Sequence, residues 1–148
     1  MVLGRNEHGA VAVEFALLLP LIVVILFGMT EFGINLSRWE DYESAAREGA
    51  RYAAVQCQPR QPGDPASGPC TNSMIARAIN QASSSLALSG SDITVTITHS
   101  GAPVASSDCS QYQGDAISVS WVQTFTFDVP LLPIAPRTRT VKGVFRCE

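Results

Sequence analysis

The sequence predicts an α+β protein. A long N-terminal membrane-spanning helix continues into an amphipathic helix, and a second helix and a three-stranded antiparallel sheet follow. Three observations carry this reading. From Ala10 to Thr30 the only ionisable side chain is Glu14. From Leu36 to Val55 apolar residues recur at helical spacing. Beyond Asp92 the apolar period falls to two, as in a sheet with one buried face.

The first element is set by length and solvent. At 1.5 Å per residue, segment 10–30 makes a helix of about 31 Å, enough to cross a bilayer core. It is apolar all round, as lipid demands. Pro20 lies inside it; proline is tolerated in membrane helices because neighbours satisfy the freed carbonyl. Met1 to His8 is a short polar leader. The chain thus divides into a leader peptide at 1–9, a transmembrane or assembly helix at 10–30, and an outer α+β domain at 31–148. Arg5 precedes the span, whereas Glu31, Glu40, Asp41 and Glu43 follow it. Basic residues favour the cytoplasmic side, so the N-terminus is expected inside and the domain outside.

The helix is expected to continue to about Val55. Leu36, Trp39, Ala46, Ala50 and Ala53 mark its apolar stripe, and Glu43 precedes Arg47 by one turn, the favourable order for a surface pair. Ala45, Gly49 and Ala53 form a small-x-x-x-small row. Such a row lets two helices approach closely, and alanine is also simply a good helix former; both readings stand. Between Cys57 and Cys70 come Pro59, Pro62, Pro65 and Pro69, which allow no regular element. Thr71 or Asn72 can cap a second helix reaching about Leu88, with Ile75, Ile79, Ala82 and Leu86 on one face.

The strands follow. In Asp92 to Ser100, Ile93, Val95 and Ile97 alternate with threonines. In Ala116 to Val129, Ile117, Val119, Trp121, Phe125, Phe127 and Val129 share one face, with Gln123 the exception. Thr138 to Cys147 alternates through Val141 and Phe145. The two helices are the material available to cover the apolar face.

Composition excludes several functions. The net charge of −3 over 148 residues gives no electrostatic footprint for nucleic acid. Four cysteines on the expected outer side (Cys57, Cys70, Cys109 and Cys147) read as two disulfides of an oxidising compartment. No C-x-x-C spacing is present and His99 is the only histidine beyond the leader, which disfavours a zinc site. There is no G-x-S-x-G, P-loop or H-E-x-x-H motif, so neither an enzyme nor a cofactor is expected. Trp121, Phe125 and Phe127 read as sheet core rather than as a ligand platform.

Chemistry therefore concentrates in Gly9-Ala10-Val11-Ala12-Val13-Glu14-Phe15. A carboxylate in a lipid segment costs about 2.5–3.5 kcal/mol on insertion scales and is functional by default. A secretory signal peptide would need a small-x-small cleavage site soon after the apolar run, and none follows. A plain anchor explains the length but not Glu14. The third competing reading is a leader removed at the start of the apolar segment, which leaves that segment as an assembly helix.

Gly9 followed by Glu14 resembles the prepilin pattern, in which a peptidase cuts after Gly and Glu is the fifth mature residue. The run from Gly9 to Pro20, and the later block Ala45-Ala46-Arg47-Glu48-Gly49-Ala50-Arg51-Tyr52-Ala53-Ala54, resemble TadE-like minor pilins of tight-adherence (Flp, type IVc) pili. The resemblance covers about the first 55 residues. Phe15 stands where tight-adherence pilins often carry Tyr, and it lacks the hydroxyl donor.

The resemblance implies a minor pilin or pseudopilin, cut between Gly9 and Ala10 by a prepilin peptidase and acting in pilus initiation, assembly or surface adhesion. It implies the major pilin, other minor pilins and an inner-membrane pilus platform as partners. Glu14, beside Phe15, would meet the N-terminal amine of a neighbouring subunit. The alternative is an uncleaved single-pass assembly factor that never enters the filament.

If the last two strands form a hairpin around Pro130 to Pro136, Cys109 comes near Cys147. This favours Cys57–Cys70 with Cys109–Cys147 over the other two pairings, and the first bridge would remove about 3 kcal/mol of unfolded-state entropy. Peptide mapping without reduction is expected to return those two linked pairs. A Cys57–Cys147 peptide would sink the assignment.

Overall fold

A computed structural model describes residues 7–57, 70–130 and 132–148. Helix α1 (Glu7–Gln56) runs unbroken through Pro20 and leads into α2 (Asn72–Ala82). Strands β1 (Thr94–His99), β2 (Ala102–Val104), β3 (Ala116–Phe125) and β6 (Arg137–Arg146) form one antiparallel sheet of order β2-β1-β3-β6. Strands β4 (Asp128–Val129) and β5 (Leu132–Pro133) form a separate two-stranded ribbon. A short 3₁₀ turn, Cys109–Gln111, precedes β3. The proline-rich segment 58–69 and most of the leader lie outside the described residues.

The expected three strands are present, and the sheet gains a fourth. Ser100 (φ 51°) and Gly101 (φ 83°) both take left-handed backbone and join β1 to β2 in a two-residue turn closed by the His99–Ala102 pair. Positive φ at both central residues is the signature of the hairpin turn that matches strand twist.

Two boundaries differ from expectation. The second helix stops at Ala82 rather than Leu88. Ser83 turns to extended backbone, and its buried hydroxyl, together with that of Ser85, bonds the Asp41 carboxylate on α1. Asn80 then clamps the returning chain: its amide donates to the Leu88 carbonyl at 2.8 Å, and Leu88 N–H donates to its oxygen at 2.9 Å. The long middle strand stops at Phe125 rather than Val129. There the amide of buried Asn35 donates to the Thr126 carbonyl at 3.3 Å, tying the strand exit to α1. The residues beyond pair within the ribbon instead.

One face of the sheet carries Val95, Ile97, Ile117, Val119, Trp121 and Val141, all buried. Helix α1 crosses β3 and β6 on that side, and α2 packs on α1. The contact is close because the facing positions are small. Ala46, Ala50, Ala53 and Ala54 are fully buried. At Gly143 on β6, an added Cβ would overlap the Ala46 backbone carbonyl. At Gly49 it would lie 2.5 Å from Ile79 Cγ1 of α2. Leu36, by contrast, is 48% exposed and takes no part in the core stripe. Trp39 and Tyr42 close the end of the core nearest the apolar segment against Phe125, with ring centroids at 5.6 and 5.9 Å.

Disulfides join Cys57 to Cys70 and Cys109 to Cys147, with Cα separations of 5.0 and 5.2 Å. The first ties the end of α1 to the start of α2. The second locks the entry of β3 to the end of β6, where Cys147 and Asp115 also share a backbone hydrogen bond of 2.8 Å.

Gly143→Ala is expected to lower unfolding free energy by about 3 kcal/mol or more, at or beyond the upper end for overpacking because the obstacle is backbone. Gly33→Ala, with open space at its Cβ position inside α1, is the control and should be neutral to stabilising by up to about 1 kcal/mol. Denaturant unfolding of the two variants in detergent measures the difference.

Candidate functional site

The site is the first third of α1. Gly9 and Ala10 lie within the first two turns of the helix and are exposed. A bond so near a helix start is freed by fraying one or two turns, and glycine lowers the cost because it is a poor helix former. Glu14 follows one turn later, with Ala10, Val11, Leu17 and Leu18 at the three- and four-residue spacings that place side chains beside it. Among the described residues it has no hydrogen-bond or ion-pair partner. Val11, Val13, Phe15 and Leu17 around it are 60–75% exposed.

The segment is long and apolar enough to cross a membrane, and none of it is buried inside the protein. A core helix of a soluble domain would bury one face. This helix leaves every residue from 9 to 22 exposed, and Glu14 is the single carboxylate of the apolar segment. What the arrangement offers chemically is one anionic group in apolar surroundings, open to a cation from outside the chain.

The small-residue row does something else. Ala45, Gly49 and Ala53 are buried, and Ile75 and Ile79 of α2 pack at Gly49. The two helices that approach there belong to the same chain. On the solvent side of this stretch Glu43 meets Arg47 at 3.5 Å and Glu48 meets Arg51 at 2.6 Å. The Arg51 hydrogen bond holds the Glu48 carboxyl below the usual range. Both pairs are exposed, so each contributes little.

Other polar clusters are structural. His99 Nδ1 lies 2.6 Å from Asp115 Oδ2, with its ring 5.3 Å from Tyr112, at the exposed end of β1. Among the described residues no group of three or more His, Cys, Asp or Glu is arranged to hold a metal.

Sequence reasoning missed one surface. The β4–β5 ribbon lies along α1, and together they form an apolar groove of about 490 Å3 lined by Ile25, Met29, Phe32, Phe127, Val129 and Leu132. Beside it, Arg137 and Arg139 line a second groove with Phe32, Asn35 and Trp39. The signal was present in Pro130-Leu131-Leu132-Pro133-Ile134-Ala135-Pro136, seven uncharged residues in what reads as an outward hairpin turn.

Residues 9–51 match the family model described as TadE-like protein. The matched stretch runs from the Gly9–Glu14 motif through the apolar segment and into the small-residue block. It covers 43 of 148 residues (9 to 51 inclusive), all of them on α1. No curated protein and no solved structure matches the chain.

Proposed function

We propose that this chain is a minor pilin or pseudopilin of a tight-adherence pilus, with its α+β domain outside the cytoplasmic membrane. The observation that carries the reading is the match of residues 9–51 to the TadE-like model, with Gly9 and Glu14 at prepilin spacing on an otherwise apolar, unburied helix. A prepilin peptidase cuts between Gly9 and Ala10. The new amine on Ala10 and the Glu14 carboxylate then form complementary charges on each subunit.

Physics gives the pair its role. Opposite charges attract strongly where the dielectric is low, and each offsets the other's desolvation. A subunit therefore settles where its carboxylate meets a neighbour's amine, which sets axial register in a helical assembly. The rest of the apolar surface supplies non-directional adhesion between helices. The major pilin, other minor pilins and the inner-membrane platform are the partners this role requires. The disulfides suit a domain exposed beyond the membrane, where adhesion would take place.

Intact-mass analysis and N-terminal sequencing of the cellular protein are expected to find a chain of 139 residues (148 minus 9) beginning at Ala10. A mature chain that keeps Met1 or Val2 would refute processing and favour an uncleaved assembly factor. In the same cells, Glu14→Gln is expected to leave membrane insertion intact and to cut assembly about tenfold or more. Truncating one partner of a buried charge pair costs about 2–5 kcal/mol. Sheared pili counted by immunoblot read the effect, and normal piliation would remove the register role.

A further inference from the structure

We infer that the β4–β5 ribbon is a second membrane-embedding element, which enters the leaflet on the domain side beside α1 and sets Arg137 and Arg139 against lipid phosphates. The inference rests on α1 being a membrane span and extends it to a part of the outer domain.

The argument is one of depth. The ribbon and α1 line one groove, with Val24, Ile25, Gly28, Met29 and Phe32 on the helix side, and strand β4 packs on α1. Val24 to Met29 lie one to six residues before Thr30, the end of the apolar run, or about 2–9 Å inside it along the axis. Whatever surrounds the helix at that level surrounds the ribbon too. The ribbon is built for that medium: Leu132 and Ile134 are 48% and 42% exposed, and Val129 and Phe127 turn toward the helix. An apolar patch continuous with an apolar span shares its solvent.

The charges sit at the matching height. Arg137 and Arg139 pair with Phe125 and Gln123 in the sheet, which puts them on the side facing α1. They line the groove beside Phe32, Asn35, Leu36 and Trp39. Phe32 to Asn35 lie two to five residues beyond Thr30, about 3–8 Å outside the apolar run. The polar headgroup zone is about 5–8 Å deep on each side of the hydrocarbon. Among the described residues neither arginine forms an ion pair. Glu31 lies on α1 and Asp128 within β4 itself; among the described residues neither forms an ion pair with Arg137 or Arg139, so both guanidinium groups remain to meet phosphate. Anionic phospholipid is therefore the occupant.

The test places benzoylphenylalanine at Leu132, Ile25 or Val144 of the full-length chain, reconstituted in vesicles of equal phosphatidylglycerol and phosphatidylcholine. After irradiation, mass spectrometry counts lipid adducts. Adducts at Leu132 and Ile25 with none at Val144, which lies on the outer sheet face, are expected. Adducts at Ile25 without Leu132 overturn the inference and leave the span standing. Loss of adducts at both positions overturns the span as well. A cross-link from Leu132 to a second copy of the chain overturns the lipid assignment. Adducts at Leu132 are further expected to favour phosphatidylglycerol, a preference lost in R137Q/R139Q; unchanged preference in that variant refutes the role of the arginines.

Discussion

Helix α1 passes without a break from a segment long and apolar enough to cross a membrane to one packed inside a folded domain, so it exchanges one kind of surroundings for another along its own length. Residues 9–22 of its first half are exposed throughout, while Ala46, Ala50, Ala53 and Ala54 in its second half are wholly buried. The rest of the domain depends on the second half being narrow. The sheet reaches α1 only because Gly143 lets β6 lie against the backbone at Ala46, and α2 reaches it only because Gly49 leaves room for Ile79. Larger residues would lift both layers off the helix. Dispersion falls away within an ångström of lost contact, so the core would lose much of its cohesion. The small residues are thus what joins the long apolar segment to a folded domain.

Much of this was legible in the sequence because it rests on period and length. A run of twenty-one residues with one charge reads as a span whatever follows it. The alternation through Ile117, Val119 and Trp121 reads as a strand with one buried face, and those residues are buried. The pairing of Cys109 with Cys147 follows from antiparallel register, which sets Ala116 opposite Arg146. The errors share a cause. Strand β2 is three residues long, too short for any period, although Ser100-Gly101 marked its turn. The end of α2 is set by Asp41, forty-two residues away from Ser83 in the chain, and the end of β3 by Asn35. Contacts so distant in sequence leave no local pattern.

The candidate site divides in the same way. Gly9 and Glu14 stand out because a lone carboxylate in an apolar run is costly, and cost is visible residue by residue. No partner of Glu14 is visible, since among the described residues no cation forms an ion pair with it. The ribbon went unread for the opposite reason. Its apolar residues look like a hairpin turn until the fold lays them along Val24 to Phe32, and only then does their level relative to the span acquire meaning.

The unbroken helix also links the two ends of the molecule geometrically. Glu14 and Ala46 are thirty-two residues apart, about 48 Å along an ideal helix. At 3.6 residues per turn that is close to nine turns, so the two side chains point within about 40° of one another. Ala46 faces the sheet. Glu14 therefore projects toward the side on which the outer domain hangs. A charge that binds on that side fixes more than height, because α1 is locked to the sheet at Gly143 and its rotation carries the domain with it. A neighbour held at Glu14 would lie beneath the domain, on the side of the β4–β5 ribbon. Were Glu14 to set register as proposed, an unbroken helix would carry it to the domain as orientation, and a broken or hinged helix would lose that coupling.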